Sequence, residues 1–263
     1  MALEGISRFC FGASYAVALG SELARVYWPQ WAPRWIGLLF GCAGLFAHTL
    51  YLFFHRPSPA GAAGALWVLA WVLAVYYVYS SVQYRKFTLA LFVLPMMLGL
   101  LALAELNVDS VAQPLGGAFW PSVHGGLILL AGMGLTIGFL ASVMYLVQAW
   151  RLGHKLAPHQ GPRLFSLERL ETMNRRAIHW SFPLLTAGLL VGALLWPRSD
   201  MSELATPKIL TTAGLWLTFL AVLYLRHAVH LLPRRLAWLT VAAFALLLFS
   251  LVAAHPFAGT VGE

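Results

Sequence analysis

Charge is scarce in this 263-residue chain: 10% of its residues are Asp, Glu, Lys or Arg, while 60% are hydrophobic. A soluble domain of this length has no interior large enough to hide so much apolar surface, so a water-soluble globule is excluded and the bilayer becomes the solvent. Cysteine is nearly missing. Cys10 and Cys42 form no Cys-x-x-Cys, which excludes a thiol–disulfide relay and a cysteine zinc site. Free cysteines inside apolar runs behave as small apolar residues. A Walker loop, a nucleophile elbow, a His-Glu-x-x-His and a dinucleotide fingerprint are all lacking.

What the chain has is long apolar runs. A membrane span takes about 20 mostly apolar residues, and eight such runs lie at roughly 6–24, 35–54, 63–82, 87–104, 123–148, 177–196, 208–227 and 235–254. Clusters such as His55-Arg56-Pro57-Ser58-Pro59 and Pro158-His159-Gln160-Gly161-Pro162 separate them. The expectation is an all-α polytopic membrane protein of about eight transmembrane helices, residues 1–263 forming one transmembrane domain. The first run carries Arg8 and Glu22 near its ends and lacks a small-residue cleavage site, so it reads as a retained helix.

The formal charge of +8 is a topology signal. With eight spans, the first, third, fifth and seventh loops share one side and hold 13 of the 17 Lys and Arg residues. The positive-inside rule puts that side in the cytoplasm and both termini outside. The basic loop 149–176 is then cytoplasmic, and the charge is no footprint of nucleic acid. Within that loop Leu164, Leu167, Leu170 and Met173 alternate with charged residues, which predicts a short amphipathic helix lying on the inner headgroup surface. Ser166 is placed to cap it.

Ionisable groups inside a membrane are costly, so the nine histidines are where function should show. His124 opens the fifth span and His255 closes the eighth. Opposite helix directions put both at the same outer depth, as bis-histidine haem ligation requires; polar residues that merely mark helix ends would look the same. His48 is the deepest, about 9 Å inside the end of the second span at 1.5 Å per residue. A single helix–helix hydrogen bond would account for it, as would a ligand or proton-handling role. His154, His159, His179, His227 and His230 lie near span ends or in the basic loop and read as interfacial. Glycines stud the fifth span, and Gly188 and Gly192 form a Gly-x-x-x-Gly on the sixth; small residues of this kind predict close contact between the two.

Several segments in chain order resemble the cytochrome c assembly family of CcsA and HemX types, best over 119–255. Ser181-Phe182-Pro183-Leu184-Leu185-Thr186-Ala187-Gly188, with Gly192, is similar to that family's Gly-Phe-x-Leu-Leu-Thr helix. Phe119-Trp120-Pro121-Ser122-Val123-His124 and Leu248 to His255 resemble the segments that carry its two outward histidines, and Gly41 to His48 is similar to the second helix of the HemX branch. The family's outward loop holds several tryptophans and ends in Trp-Asp-Pro-Lys. Here Trp196, Pro207 and Lys208 remain, and Thr206 stands in the aspartate's place.

The resemblance implies a haem-handling assembly factor, and not an enzyme, of the bacterial cytoplasmic (inner) membrane. It would present haem at the outer face to apocytochrome c or another assembly subunit, with His124 and His255 as iron ligands, Trp196 against the porphyrin and Lys208 near the propionates. Tryptophans stacked on a macrocycle contribute much of the binding, so their thinning here predicts weaker haem binding. A cofactor-free structural or regulatory subunit of a membrane complex is the alternative. A small-molecule transporter is a weaker one, because no paired halves occur.

Overall fold

A computed structural model of the chain describes residues 8–28, 33–55, 62–84, 88–106, 119–155, 164–195, 207–227 and 232–253. His255, Trp196 and Thr206 lie outside these residues, and of Lys208 only the backbone is described. Eight helices account for almost all of them: α1 (Arg8–Tyr27), α2 (Arg34–His55), α3 (Ala62–Gln83), α4 (Ala90–Leu106), α5 (Phe119–Gly153), α6 (Leu167–Leu194), α7 (Pro207–His227) and α8 (Pro233–Ala253). No strand occurs among the described residues. α2, α3, α5, α6 and α8 are long and apolar enough to cross a membrane, and α4 and the Thr212–Leu225 part of α7 are shorter apolar helices. The protein is an all-α polytopic membrane protein. One compact unit is built on α1–α4 and a second on α5–α8.

In the first unit the organising feature is a stripe on α2. Gly37, Gly41, Gly44, His48 and Tyr51 are buried, and their alternating spacing of four and three keeps them on one helix face. Large rings from the neighbouring helices fill the space that the missing side chains leave. Tyr77 of α3 lies over Gly41, and Tyr15 of α1 lies over Gly44. Both tyrosines are fully buried. Further along, the Tyr51 and Trp67 rings meet edge to face at 5.4 Å, and Trp71 Nε1 donates to Thr49 Oγ1 at 2.9 Å.

The second unit rests on an antiparallel seam between α5 and α6. His124 meets Gly192, Ile128 meets Gly188, Gly134 meets Ser181 and Gly138 meets Ala177, so one register steps forward as the other steps back. The close contact expected of these two spans is present. Small residues make it possible, because in lipid helices attract each other by packing and hydrogen bonds and not by excluding water. α8 joins through Phe139 and Phe244, stacked at 4.4 Å, and α7 through Trp216, whose Nε1 donates to Thr186 Oγ1 at 3.0 Å.

At the far end of the seam Asn174 of α6 ties three helices. Its Nδ2 lies 3.1 Å from the Gly138 carbonyl, 2.7 Å from Ser142 Oγ and 3.0 Å from Thr240 Oγ1 of α8. The two hydroxyls donate within their own helices, to Gly138 and Leu236, so towards Asn174 they act as acceptors. The amide has two hydrogens for the three acceptors.

The separate surface helix expected around 163–175 is a correction. Those residues include the opening turns of α6, which runs unbroken from Leu167 to Leu194. Ser166 does cap it, accepting from the Arg169 N–H at 3.4 Å. The reason for continuity is the buried face Leu170, Asn174, Ile178, Ser181, Leu185 and Gly188, which carries one stripe from the cap into the span. At about 1.5 Å per residue α5 is roughly 50 Å long against a hydrocarbon core of about 30 Å. The α5–α6 pair is therefore long enough to extend past the hydrocarbon core into the headgroup region.

Asn174→Leu removes the shared donor from three acceptors in a packed site. The expected result is a loss of about 1–3 kcal/mol, read as a lower midpoint in the thermal unfolding of the detergent-purified protein. Asn174→Asp in its protonated form keeps one donor and should fall between the two.

Candidate functional site

His124 lies in the second turn of α5, whose opening residues Phe119 and Trp120 are both exposed. Its imidazole is half-buried and lies against α6. Nδ1 is 2.7 Å from the Gly188 carbonyl oxygen. A carbonyl can only accept, so Nδ1 carries the proton, and in the neutral ring the lone pair is then on Nε2. This is the arrangement in which a backbone carbonyl selects the tautomer of a metal-binding histidine.

The contact depends on the Gly-x-x-x-Gly of α6. A Cβ at Gly192 would lie 2.7 Å from His124 Cε1 and 2.9 Å from Nδ1, and one at Gly188 would lie 2.8 Å from Ile128 Cδ1. The motif that reads in the sequence as a packing device therefore also forms the bed of the imidazole. Sequence reasoning missed this role. The available signal was the pairing of a histidine near the start of one apolar helix with a small-residue motif near the end of the next.

His48 has a different setting, in the first unit. It is fully buried, with Nδ1 3.4 Å from Tyr15 Oη and its ring stacked 4.4 Å from Phe11. Its Nε2 is buried without a hydrogen-bond partner among the described residues. A buried polar atom left so costs about 1–3 kcal/mol, so the residue is held there at some expense to stability. The remaining histidines sit at the surface or outside the described side chains. His154 is exposed, with Nδ1 2.9 Å from the Trp150 carbonyl, and His55 stacks on Tyr51 at 4.4 Å. His179 is exposed.

Pro207 and Lys208 open α7. Proline suits a first helical position, where its missing N–H costs nothing and its fixed φ is already helical. Among the described residues no group of three or more His, Cys, Asp or Glu side chains forms a cluster able to hold a metal ion. Cys10 and Cys42 are exposed and form no disulfide.

A bundle of apolar helices with a small-residue seam and a carbonyl-oriented histidine at one end defines a polytopic membrane protein. The comparison with known families narrows the class. Residues 60–254 match the family described as Cytochrome C assembly protein, well over half of the chain, and the chain belongs to that family. It is also similar to the cytochrome c biogenesis protein CcsA of Guillardia theta, 27% identical over 203 residues that cover 68% of this chain and 67% of the relative. No solved structure matches. The matched residues include His124, Trp196 and Lys208, end at 254 just before His255, and leave out α1 and α2 with His48.

His48→Phe combined with Tyr15→Phe replaces the imidazole together with the buried hydroxyl bonded to it, so neither residue keeps an orphan polar atom. Thermal unfolding should show stability kept or raised by about 1 kcal/mol. A clear fall in the midpoint would mean that Nε2 has a partner that the substitution removes.

Proposed function

We propose that this member of the cytochrome c assembly family handles haem at the outer face of the bacterial cytoplasmic membrane, with His124 and His255 as the axial ligands. The observation that carries the reading is the His124 Nδ1–Gly188 carbonyl hydrogen bond. It fixes the tautomer, leaves the Nε2 lone pair for a metal and holds the ring against a rigid seam. The donor set suits haem iron, which takes neutral imidazoles on both axial sides. Haem, when bound, supplies the redox-active iron; the protein supplies ligation, orientation and the surrounding dielectric.

In this reading Trp196 offers an apolar face for a planar macrocycle, and Lys208 neutralises a propionate from the start of α7. Apocytochrome c or another assembly subunit is the receiving partner. His48, in the first unit, is the second assigned position, its buried Nε2 able to hold a ligand or a proton. The positive-inside distribution supports an outward loop between α6 and α7. A second reading is favoured by one specific feature: Thr206 in place of aspartate and a loop with few tryptophans. On that reading the family scaffold serves as a cofactor-free subunit of a membrane complex.

The visible spectrum of the purified protein, as isolated and after adding haem, separates the two. Haem handling predicts a Soret band with sharp reduced α and β bands in the wild type and their loss in the His124→Ala, His255→Ala double mutant. No band in the wild type even with added haem would leave the cofactor-free reading.

Gly192→Ala tests the bed of the imidazole without touching a ligand atom. The added methyl displaces the His124 ring, and haem affinity should fall about 10–100-fold, the range for losing an outer partner of a liganding histidine. The thermal midpoint should fall only slightly, because the nearest atoms the methyl meets all belong to the His124 ring. Spectrophotometric haem titration measures the first, and unfolding of the haem-free protein measures the second.

A further inference from the structure

The first unit holds a cavity that this reading does not use. It measures about 250 Å³ and lies where the end of α1 meets the start of α2 and the end of α3 meets the start of α4. Its polar lining comprises Glu22, Arg25, Arg34, Ser80, Ser81 and Tyr84. Glu22 is buried and accepts from Arg25 Nη2. Among the described residues it is the one carboxylate in the lining, faced by the guanidinium groups of Arg25 and Arg34, so their formal charges sum to plus one. The remaining walls, from Leu38, Val82, Leu89 and Ala90, are apolar.

The volume limits the occupant. Clefts that enclose a drug-sized ligand run to about 300–1,000 Å³, so this one suits a headgroup and not a macrocycle. The position limits it further. Trp35 lines the cavity and is 63% exposed, and Tyr27 and Trp28 at the end of α1 are exposed beside it in sequence. Exposed tryptophan and tyrosine at a span end mark headgroup depth. A basic pocket between transmembrane helices at that depth is suited to anionic lipid.

We infer that this cavity binds the phosphate headgroup of an anionic phospholipid. Arg34 contacts the phosphate, and the Glu22–Arg25 pair forms the fixed floor that keeps the charge from being larger and less selective. The serine hydroxyls and Tyr84 provide hydrogen bonds to the phosphate or glycerol oxygens, while the acyl chains pass over the apolar wall into the bilayer. The chemistry is that of any phosphate monoester or diester; the depth is what assigns it to lipid.

The test is native mass spectrometry of the full chain in detergent, titrated with phosphatidylglycerol or with phosphatidylcholine of the same acyl chains. Phosphatidylglycerol should bind more tightly, and Arg34→Gln should weaken it about five-fold, the effect of one basic residue near an anionic surface. Arg176→Gln, an exposed change on α6 in the other unit, should leave the preference intact, and Arg34→Lys should retain most of it. Should Arg34→Gln fail to fold, the wild-type preference read against rising salt replaces it, since the preference must shrink as charge is screened. Equal binding of the two lipids, an unchanged Arg34→Gln, or a salt-independent preference overturns the assignment. So does displacement of the lipid by millimolar inorganic phosphate alone, which would make the site one for a free anion.

Discussion

In lipid, a polar group that leaves water must find its partner inside the protein, and that constraint shapes both units of this molecule. The α5–α6 seam is where it acts most visibly. Glycine, alanine and serine along the seam let the two backbones approach, and the hydroxyls of Ser142 and Ser181 return their protons to carbonyls of their own helices. Asn174 is affordable because its amide hydrogens have acceptors on α5 and α8. Remove the close approach, and neither the amide nor the imidazole at the other end would reach its acceptor.

The two ends of the seam use the same device for different purposes. At Asn174 a buried polar side chain ties helices together. At His124 a polar side chain is held by the facing helix through one nitrogen. One set of small residues serves both ends, so Gly188 and Gly192 set the position of the imidazole as well as the approach of the two helices. In the first unit the glycine stripe of α2 does the equivalent work, admitting Tyr15 and Tyr77 and placing His48 between Phe11 and Tyr15.

Family membership covers α3 to α8 and leaves α1 and α2 outside the matched residues. That outer part contains His48 and the three charged residues described in the cavity lining, Glu22, Arg25 and Arg34. The matched residues take in two helices of the first unit and all four of the second, with His124 and the opening of α7 among them. Thr206 and the thinned tryptophans place a departure from the family's motif in the residues before α7.

The sequence by itself determined the number and placement of the helices, because hydropathy, proline and a serine cap act within a few neighbouring residues. α2 was expected at 35–54 and is Arg34–His55; α8 was expected at 235–254 and is Pro233–Ala253. The close partnership of the fifth and sixth spans was legible too, since glycines at helical spacing have few other uses in lipid. The amphipathic pattern near 167 was legible as helix but not as part of α6, because local periodicity does not say which neighbour a face will meet. Only the tertiary structure decided that Asn174 joins three helices, that the carbonyl of Gly188 sets the tautomer of His124, and that Glu22 and Arg34 line one cavity. Each of these turns on the register between segments many residues apart, and register is a property of packed surfaces that no single stretch of sequence carries.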